Sequence, residues 1–501
     1  MQVLLLSMPD SFEHMAPVAI RMPNGALTSL AGNIDAHHQV AVADLVLVQH
    51  DVAGTVRDLV ATLRPDVVGL SIMTFQRRTA MRLLALLKQI CPSATTVVGG
   101  YDPSLAPEAY DVAGGPDVVV RGEGEAAFRE LLRALERDQP LSDIAGISWR
   151  GASGLVHNPD RPVSKLRRGE LELPRRDARV LSGYRLLGRQ VDVIETSRGC
   201  TFDCSFCSII EMRGRNFHTF DFERVLADIA DARARGARSM FLVDDNITLD
   251  VRRFEALCQA IIDAGLEDVD YFVQGMTSAI AEHGETLAPL MRRAGFRYVF
   301  LGIENVLTDD LTFLKARAKN ALREGGRTVG NATLEAIGHI HRNGMLVVGG
   351  LIVGNPDDTA DAIEANLTFA RQYVDWPYIQ HPTPYPRTPM TRDFQERGLI
   401  VSDALEEYDG TTAVVRTAHV SAEDVEFMRW RAERWMKVRH MPAAFLHDPW
   451  FVLRNGHRLF AHTFRGNTWR TWLGLESERD AFGRYRELRR REREYVPAIA
   501  G

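Results

Sequence analysis

Residues 198–209, RGCTFDCSFCSI, place three of the chain's five cysteines within eight positions. The segment follows the apolar run VDVIE, so the thiols come directly after a predicted strand. A structural zinc site needs four ligands, and no second C-x-x-C or H-x-x-x-H pair lies nearby. A redox C-x-x-C pair leaves Cys200 without a role. Cys200, Cys204 and Cys207 can instead ligate three irons of a four-iron four-sulfur cluster and leave the fourth iron open.

Strand and helix signals alternate after this segment. Apolar runs at 239–246, 269–276, 296–305, 345–354 and 377–386 are separated by helical patterns. With the run before the cysteines, they make six βα units and predict a partial (β/α)6 barrel over residues 189–395. Functional side chains in such folds gather where strands end and loops begin.

The same alternation occupies the start of the chain, with apolar runs at 2–8, 37–46, 66–74, 95–100 and 117–125. Continuous β-branched runs between amphipathic helices predict a doubly wound, Rossmann-like α/β domain over residues 1–145. A polar stretch rich in Arg and Pro follows, and it indicates a linker over 146–188 with a short hairpin at its start.

Residues 396–501 have a helical and aromatic pattern instead. They contain five tryptophans, Trp430, Trp435, Trp450, Trp469 and Trp472. We interpret the region as a mostly helical cap packed on the barrel, in which large aromatics build the core. The alternative is that some of these rings line a substrate pocket.

Composition narrows the class of protein. The chain has 501 residues, 45% of them hydrophobic, and a net charge of -6, which gives no overall attraction to nucleic acid or anionic lipid. No stretch approaches the roughly 20 apolar residues that span a bilayer. The apolar start has no basic leader, so we expect a cytoplasmic protein whose cysteines stay reduced, without a nucleic-acid partner.

The cysteine spacing C-x3-C-x2-C resembles the signature of the radical S-adenosylmethionine (SAM) enzymes. The resemblance implies a 4Fe-4S cluster on the three cysteines, whose open iron chelates the amino and carboxylate groups of SAM. An electron, supplied by a flavodoxin- or ferredoxin-type donor, would then produce a 5'-deoxyadenosyl radical. Phe206 matches the family's hydrophobic position near the adenine.

Three later strand ends resemble other elements of that family. FLVDDN carries Asp244, Asp245 and Asn246 where the family meets the methionine amino group, although the usual GGE is missing and these residues also suit a turn or helix cap. FLGIEN places Glu304 like the element near the ribose and carboxylate. LIVGNPDDT places Gly354 in the turn under the adenine.

The first domain resembles the cobalamin-binding domain that precedes the radical SAM domain in one subgroup. The matching segments are GLSIMT, VVGGYDPSLAPE and VVVRGEGEAAFREL. The resemblance implies that the corrin and its nucleotide tail lie against Ser71, Thr74, Gly99, Gly100 and Gly122. The D-x-H-x-x-G loop of other cobalamin proteins is absent, although His14 lies in DSFEHMA, and Asp102 replaces a usual histidine. The alternative is a Rossmann-like module without a cofactor.

The subgroup includes the class B radical SAM methyltransferases, with hopanoid and bacteriochlorophyll methylases, and the anaerobic Mg-protoporphyrin ester cyclase. The resemblance of this chain to the subgroup implies methylation of an unactivated carbon of a small molecule or natural product. The alternative is oxidative cyclisation or rearrangement without methylation. Arg213, Arg215 and His218 follow the cysteines and either clamp an acidic substrate or face solvent.

Overall fold

The protein is described by a computed structural model that covers residues 1–12, 16–324, 327–447 and 449–497. His14 lies outside these residues.

Two large sheets organise the chain, one of seven strands and one of six. The strands are β1 Gln2–Ser7, β2 Ile20–Arg21, β3 Gln39–Asp44, β4 Val67–Ser71, β5 Thr95–Gly99, β6 Val118–Val120, β7 Ile147–Gly151, β8 Gly154–His157, β9 Arg185–Leu186, β10 Val191–Ile194, β11 Ser197–Arg198, β12 His218–Thr219, β13 Ser239–Leu242, β14 Asp270–Met276, β15 Phe296–Glu304, β16 Ala321–Glu324, β17 Arg327–Asn331, β18 Leu346–Ile352 and β19 Trp376–Gln380.

Helices cover the sheets and form most of the last hundred residues. They are α1 Gly25–Gly32, α2 Val52–Leu63, α3 Arg77–Ile90, α4 Tyr101–Leu105, α5 Gly124–Glu136, α6 Ile209–Arg213, α7 Phe222–Ala234, α8 Val251–Asp263, α9 Thr277–Arg293, α10 Thr308–Phe313, α11 Arg317–Asn320, α12 Thr333–Arg342, α13 Ala360–Tyr373, α14 Pro389–Glu396, α15 Ala422–Arg439, α16 Met441–His447, α17 Pro449–Thr463 and α18 Glu478–Glu492.

The first sheet has the order β3-β1-β4-β5-β6-β7-β8, and its first five strands are parallel. One apolar cluster joins it to α2 and α3, and a separate one joins it to α1 and α5. The predicted double winding is therefore confirmed. The expected hairpin is β7–β8, which pairs antiparallel with β6 and extends this sheet to His157. The boundary at residue 145 stays a prediction.

The second sheet has the order β10-β13-β14-β15-β18-β19, with all neighbours parallel. These are the six predicted strands, and the helices between them pack on the outside through the largest apolar cluster. The partial (β/α)6 barrel is confirmed. Because the strands are parallel, their carboxyl ends and the loops that follow lie at one edge of the sheet.

The C-terminal region is mostly helical, but its tryptophans differ from the interpretation as a packed core. Trp430 is buried beside Phe427 and Phe482. Trp435, Trp450, Trp469 and Trp472 are exposed instead. Helical periodicity located the helices but could not show whether another element covers each face. In the described parts of the chain, every helix is too short or too polar to cross a membrane.

Candidate functional site

The three clustered cysteines lie on the loop between β11 and α6, past the carboxyl end of the first barrel strand. Gly199, directly before Cys200, has a φ of +93°, and its amide donates to Asp245 Oδ2 at 2.7 Å. On the other side of Cys200, the Thr201 carbonyl accepts two hydrogen bonds from the Arg215 guanidinium. Arg215 therefore holds the cysteine loop, a use that the sequence did not indicate.

Segments distant in sequence hold the middle of the same loop. The Ser205 amide donates to the Leu314 carbonyl at 3.1 Å, and the Ser205 hydroxyl donates to the Phe313 carbonyl at 2.9 Å. The Ser205 carbonyl accepts from the Met390 amide at 2.9 Å. Phe206 packs in the apolar cluster that contains Leu314 and Met390. The positions of the thiols therefore depend on the folded barrel, because later segments of the chain hold the cysteine loop.

Burial raises the pKa of Cys204 to about 12 and that of Cys207 to about 11. Such thiols stay protonated at neutral pH unless a metal centre displaces the proton. Cys200 is half-buried, and its Sγ lies 4.0 Å from the Asn246 side-chain amide. Three thiols on one ordered loop fit an iron–sulfur cluster with one iron left for another ligand.

Asp244 and Asp245 support the cysteine loop. Asp244 is fully buried and accepts hydrogen bonds from the Thr196 amide at 2.7 Å and from the hydroxyls of Thr196 and Ser197. Burial raises its pKa to about 6 despite these donors. Asp245 accepts from Gly199. Residues 196–199, which lead into the cysteine loop, thus donate hydrogen bonds to both carboxylates.

Asn246 is the residue of this triplet whose side chain contacts a cysteine of the loop. Its side-chain amide lies 4.0 Å from Cys200 Sγ and 3.9 Å from Met276 Sδ. Its carbonyl oxygen accepts from the Thr248 hydroxyl at 2.9 Å, which fixes the side-chain orientation. Asn246 therefore presents amide hydrogens beside the cysteines.

Glu304 ends β15 with a φ of +59° and pairs with Lys319 on α11, whose Nζ lies 3.0 Å from Glu304 Oε1. Burial opposes the charge on Lys319, but Glu304, Cys204 and Cys207 outweigh it and raise the lysine pKa. Sequence reasoning missed Lys319, since α11 lies in a segment that matches no motif. The structure places a half-buried cation and a buried carboxylate at the edge of the cysteine site.

Gly354 has a φ of +97°, and a Cβ there would lie 2.8 Å from Val425, so the turn after β18 requires glycine. The amides of Gly354 and Asn355 both donate to Asp358 Oδ2. Asp358 is hydrogen-bonded in turn to Asp310, and burial together with Asp358 raises the pKa of Asp310. This carboxyl pair fixes the shape of the turn.

An apolar cavity of about 260 Å³ lies at the carboxyl edge of the first sheet. Strand residues Leu5, Val97 and Val120 line one side, and Leu27 of α1 and Phe128 of α5 line the other. Such a slot between sheet and helices fits a flat, largely apolar group.

Four of the five residues predicted to hold the corrin line this cavity: Ser71, Gly99, Gly100 and Gly122. Thr74 does not, because it is buried at the start of the short 3-10 helix Thr74–Gln76. The Ser71 hydroxyl accepts from Asn24, a lining residue that the sequence did not indicate.

The turn at Gly100 is sterically demanding. Its φ is +101°, and a Cβ would lie 2.8 Å from the Ile72 carbonyl oxygen. Asp102, in the position of the family's histidine, is fully buried and accepts two hydrogen bonds from Arg77 and one from the Tyr110 hydroxyl. Asp102 therefore stabilises the domain core and does not reach the cavity.

Arginines of the cysteine loop face acidic residues of the first domain. Arg198 Nη2 lies 2.6 Å from Glu125 Oε1, and the Arg198 guanidinium also binds Glu195. Arg213 Nη1 lies 3.8 Å from Glu123 Oε1 and 3.7 Å from an Asp245 oxygen. Both arginines line the apolar cavity, so of the two alternatives for Arg213 the structure does not support a side chain that faces solvent.

Arg213 also has an unused donor, because its buried Nε has no hydrogen-bond partner in the structure. An orphaned donor at the mouth of a glycine-lined slot fits a polar group on the edge of an otherwise flat ligand. The residues that line the apolar cavity are thus compatible with a bound cobalamin. The residues of the cysteine loop are compatible with a 4Fe-4S cluster and SAM.

Comparison with protein families gives two matches: a B12 binding domain over residues 15–132 and the radical SAM superfamily over residues 194–370. The chain is 26% identical to an uncharacterized methyltransferase of Pyrococcus horikoshii, covering 85% of this chain and 90% of that protein. It is 26% identical to the anaerobic magnesium-protoporphyrin IX monomethyl ester cyclase of Rubrivivax gelatinosus, and the match covers 82% of this chain and 71% of that protein. The solved structure of the cobalamin-dependent S-adenosylmethionine radical enzyme OxsB superposes with a TM-score of 0.67 at 16% identity, covering 100% of this chain and 76% of OxsB.

Proposed function

Since the chain joins a B12 binding domain to a radical SAM domain and belongs to the cobalamin-dependent radical SAM enzymes, we propose that it methylates an unactivated carbon of a small molecule. One observation carries the proposal. The apolar cavity of the first domain and the cysteine loop share their lining, because Arg198 and Arg213 take part in both. A substrate between the two sites would meet both cofactors.

Tyr101 lies at the same junction. It lines the cavity directly after the Gly99–Gly100 turn. Burial raises its pKa, and the Asp245 carboxylate and Cys207 raise it further, while Arg213 lowers it. Tyr101 thus belongs to the first domain and lies close to charged groups of the cysteine site.

We assign the following roles to the chain's own residues. Cys200, Cys204 and Cys207 hold the cluster, and Asn246 beside Cys200 lies at the methionine amino group. Glu304 lies at the ribose and carboxylate of SAM, and Lys319 supplies the positive charge for that carboxylate. The Gly354 turn and Phe206 receive the adenine; Gly99, Gly100, Gly122 and Ser71 receive the corrin. When bound, SAM supplies the radical and cobalamin the methyl group.

The reductant and compartment are part of the same proposal. We expect an external electron donor of flavodoxin or ferredoxin type and a cytoplasmic location. We expect the substrate to be a small molecule.

The test is product analysis under anaerobic conditions with reconstituted full-length protein, cobalamin, titanium citrate, SAM and a pool of small-molecule metabolites that supplies the methyl acceptor. Methylation forms S-adenosylhomocysteine together with 5'-deoxyadenosine, both of which we expect. Deoxyadenosine alone, from protein that contains corrin, would support cyclisation or rearrangement and reject methyl transfer.

Cys204→Ala provides the control for the cluster. It removes one of the three thiols, and we expect it to abolish both the brown chromophore near 400 nm, as is typical of such clusters, and the formation of deoxyadenosine. Cys258→Ala is the matched variant, since Cys258 is a buried cysteine of α8 outside the site and should leave both signals unchanged.

A further inference from the structure

Exposed hydrophobic side chains concentrate in one part of the C-terminal region. Of the seventeen large hydrophobic side chains that are exposed among the described residues, ten lie between residues 435 and 475. Leu446 is 82% exposed and Trp450 is 70% exposed. We call residues 435–475 the terminal patch. Soluble surfaces rarely collect so many large apolar groups without a partner.

Part of the patch is held together by ring contacts. Trp435 stacks on Trp472 at 5.3 Å, Phe464 meets the same Trp472 edge-on at 4.4 Å, and Phe460 lies 4.6 Å from Phe464. Helices α15 and α17 and the segment after α17 are therefore joined by one aromatic cluster, in which Phe464 is buried and Trp435, Phe460 and Trp472 are exposed.

Helix α17 shows how the patch divides into two faces. Its inner face buries Phe451 against Ala16 and Ala19. Trp450, Leu453, Arg454, His457 and Arg458 are all exposed, and their spacing of three and four residues places them on one outer face. Large apolar and basic side chains thus alternate on a surface that the protein itself leaves uncovered.

The patch is basic within an acidic protein. Residues 435–475 contain six Lys and Arg residues and one acidic residue, Asp448, a net charge of +5, whereas the whole chain carries -6. Arg439, Arg454, Arg458 and Arg470 are exposed, and none of them forms an ion pair with a described residue.

We propose that the terminal patch docks on a lipid bilayer that carries anionic headgroups. Trp and Leu side chains next to Arg are the composition that settles at the boundary between headgroups and acyl chains. Free arginines attract the phosphates, and each basic residue near an anionic surface strengthens the attraction.

Charge argues against a second copy of the chain as the occupant. A two-fold dimer through this patch would set the exposed arginines Arg439, Arg454, Arg458 and Arg470 against the same four arginines of the other copy, and like charges repel. Docking of the terminal patch on a membrane does not depend on the proposed methylation. A protein that fails to bind vesicles would therefore leave the proposed function unchanged.

The test is sedimentation of the anaerobically reconstituted full-length protein with vesicles of phosphatidylcholine containing about 30% phosphatidylglycerol. We expect binding that falls about tenfold on pure phosphatidylcholine vesicles or at high salt. Trp450→Ala combined with Leu453→Ser, and separately Arg454→Glu combined with Arg458→Glu, should each weaken binding about tenfold. Because all four side chains are exposed, iron content and Tm should stay as in the wild type.

The matched control combines Leu334→Ser with Arg137→Glu, which removes an exposed leucine and an exposed arginine outside the patch and should change binding less than about twofold. Equal binding to charged and uncharged vesicles, or unchanged binding of both patch variants, would overturn the proposal. A wild-type dimer in light scattering that Trp450→Ala with Leu453→Ser converts to a monomer would identify a second copy as the occupant and overturn it as well.

Discussion

Arg198 Nη2 and Glu125 Oε1 lie 2.6 Å apart, so the residue two positions before Cys200 is held by the helix that borders the apolar cavity. Burial alone would raise the pKa of Glu125, but Arg198 outweighs it and lowers that pKa to about 2. The pair is therefore ionised at neutral pH, and it fixes the position of the cysteine loop relative to the apolar cavity.

Replacing Arg198 by Met should leave Glu125 and Glu195 without their cation. Loss of one partner of a buried ion pair typically costs about 3 kcal/mol, and we expect that decrease in the free energy of unfolding. Thermal unfolding of the reconstituted protein measures it. Arg168→Met removes the exposed pair with Glu223 and should cost less than about 1 kcal/mol. Equal effects of the two variants would contradict a structural role for Arg198.

Gly100→Ala should reduce cobalamin binding without affecting the cluster. The new Cβ would lie 2.8 Å from the Ile72 carbonyl, so the turn that lines the cavity must move. We expect corrin per chain, measured by absorption after denaturation, to fall about fivefold while iron per chain stays constant. Gly114 also has a positive φ, +76°, but open space around it, so Gly114→Ala controls for backbone strain alone. Full corrin loading of Gly100→Ala would disprove the assigned site.

Lys319→Met should weaken SAM binding. The change removes the cation that we assign to the methionine carboxylate and leaves Glu304 unpaired beside it. The dissociation constant of SAM in equilibrium dialysis should rise about tenfold, or ~1.4 kcal/mol. Arg317→Met alters an exposed cation on the same helix and should have no effect. Unchanged affinity in Lys319→Met would show that the lysine only neutralises Glu304.

Asp310→Asn should change how stability depends on pH. The folded protein keeps a proton on Asp310 because burial and Asp358 raise its pKa, whereas the unfolded chain releases that proton above the ordinary value of 3.8. The contribution of Asp310 to the free energy of unfolding is thus greatest at low pH. It decreases as the pH rises toward the raised pKa. Between about pH 4 and pH 8 the wild-type Tm should therefore fall relative to that of Asp310→Asn. Asp309→Asn, at an exposed neighbour, should follow the wild type.

Elements with a strong local pattern could be predicted from the sequence. The parallel strands are runs of buried β-branched and leucine residues such as Val67–Ser71, and such runs need no knowledge of their neighbours. The cysteine loop was found because its ligand spacing is local. The family resemblance indicated Gly100 and Gly354, and the structure gives both a positive φ, which favours glycine.

Contacts between distant segments could not be predicted in this way. Lys319 reaches Glu304 only through the fold of α10 and α11. The three polar residues after β13 have similar chemistry, yet Asp244 faces Thr196 and Asn246 faces Cys200. Thr74 follows Ser71 by three residues but turns into the core. Side-chain direction after a strand depends on the loop packed against it.

The hydrogen bonds of Ser205 to Phe313, Leu314 and Met390 also set an order of events during synthesis. A ribosome that has released the cysteines has still to make almost two hundred residues before Met390 can close the loop. The apoprotein must therefore reach the end of the barrel before its thiols are ready for metal. We therefore expect cluster delivery to act on a nearly complete polypeptide.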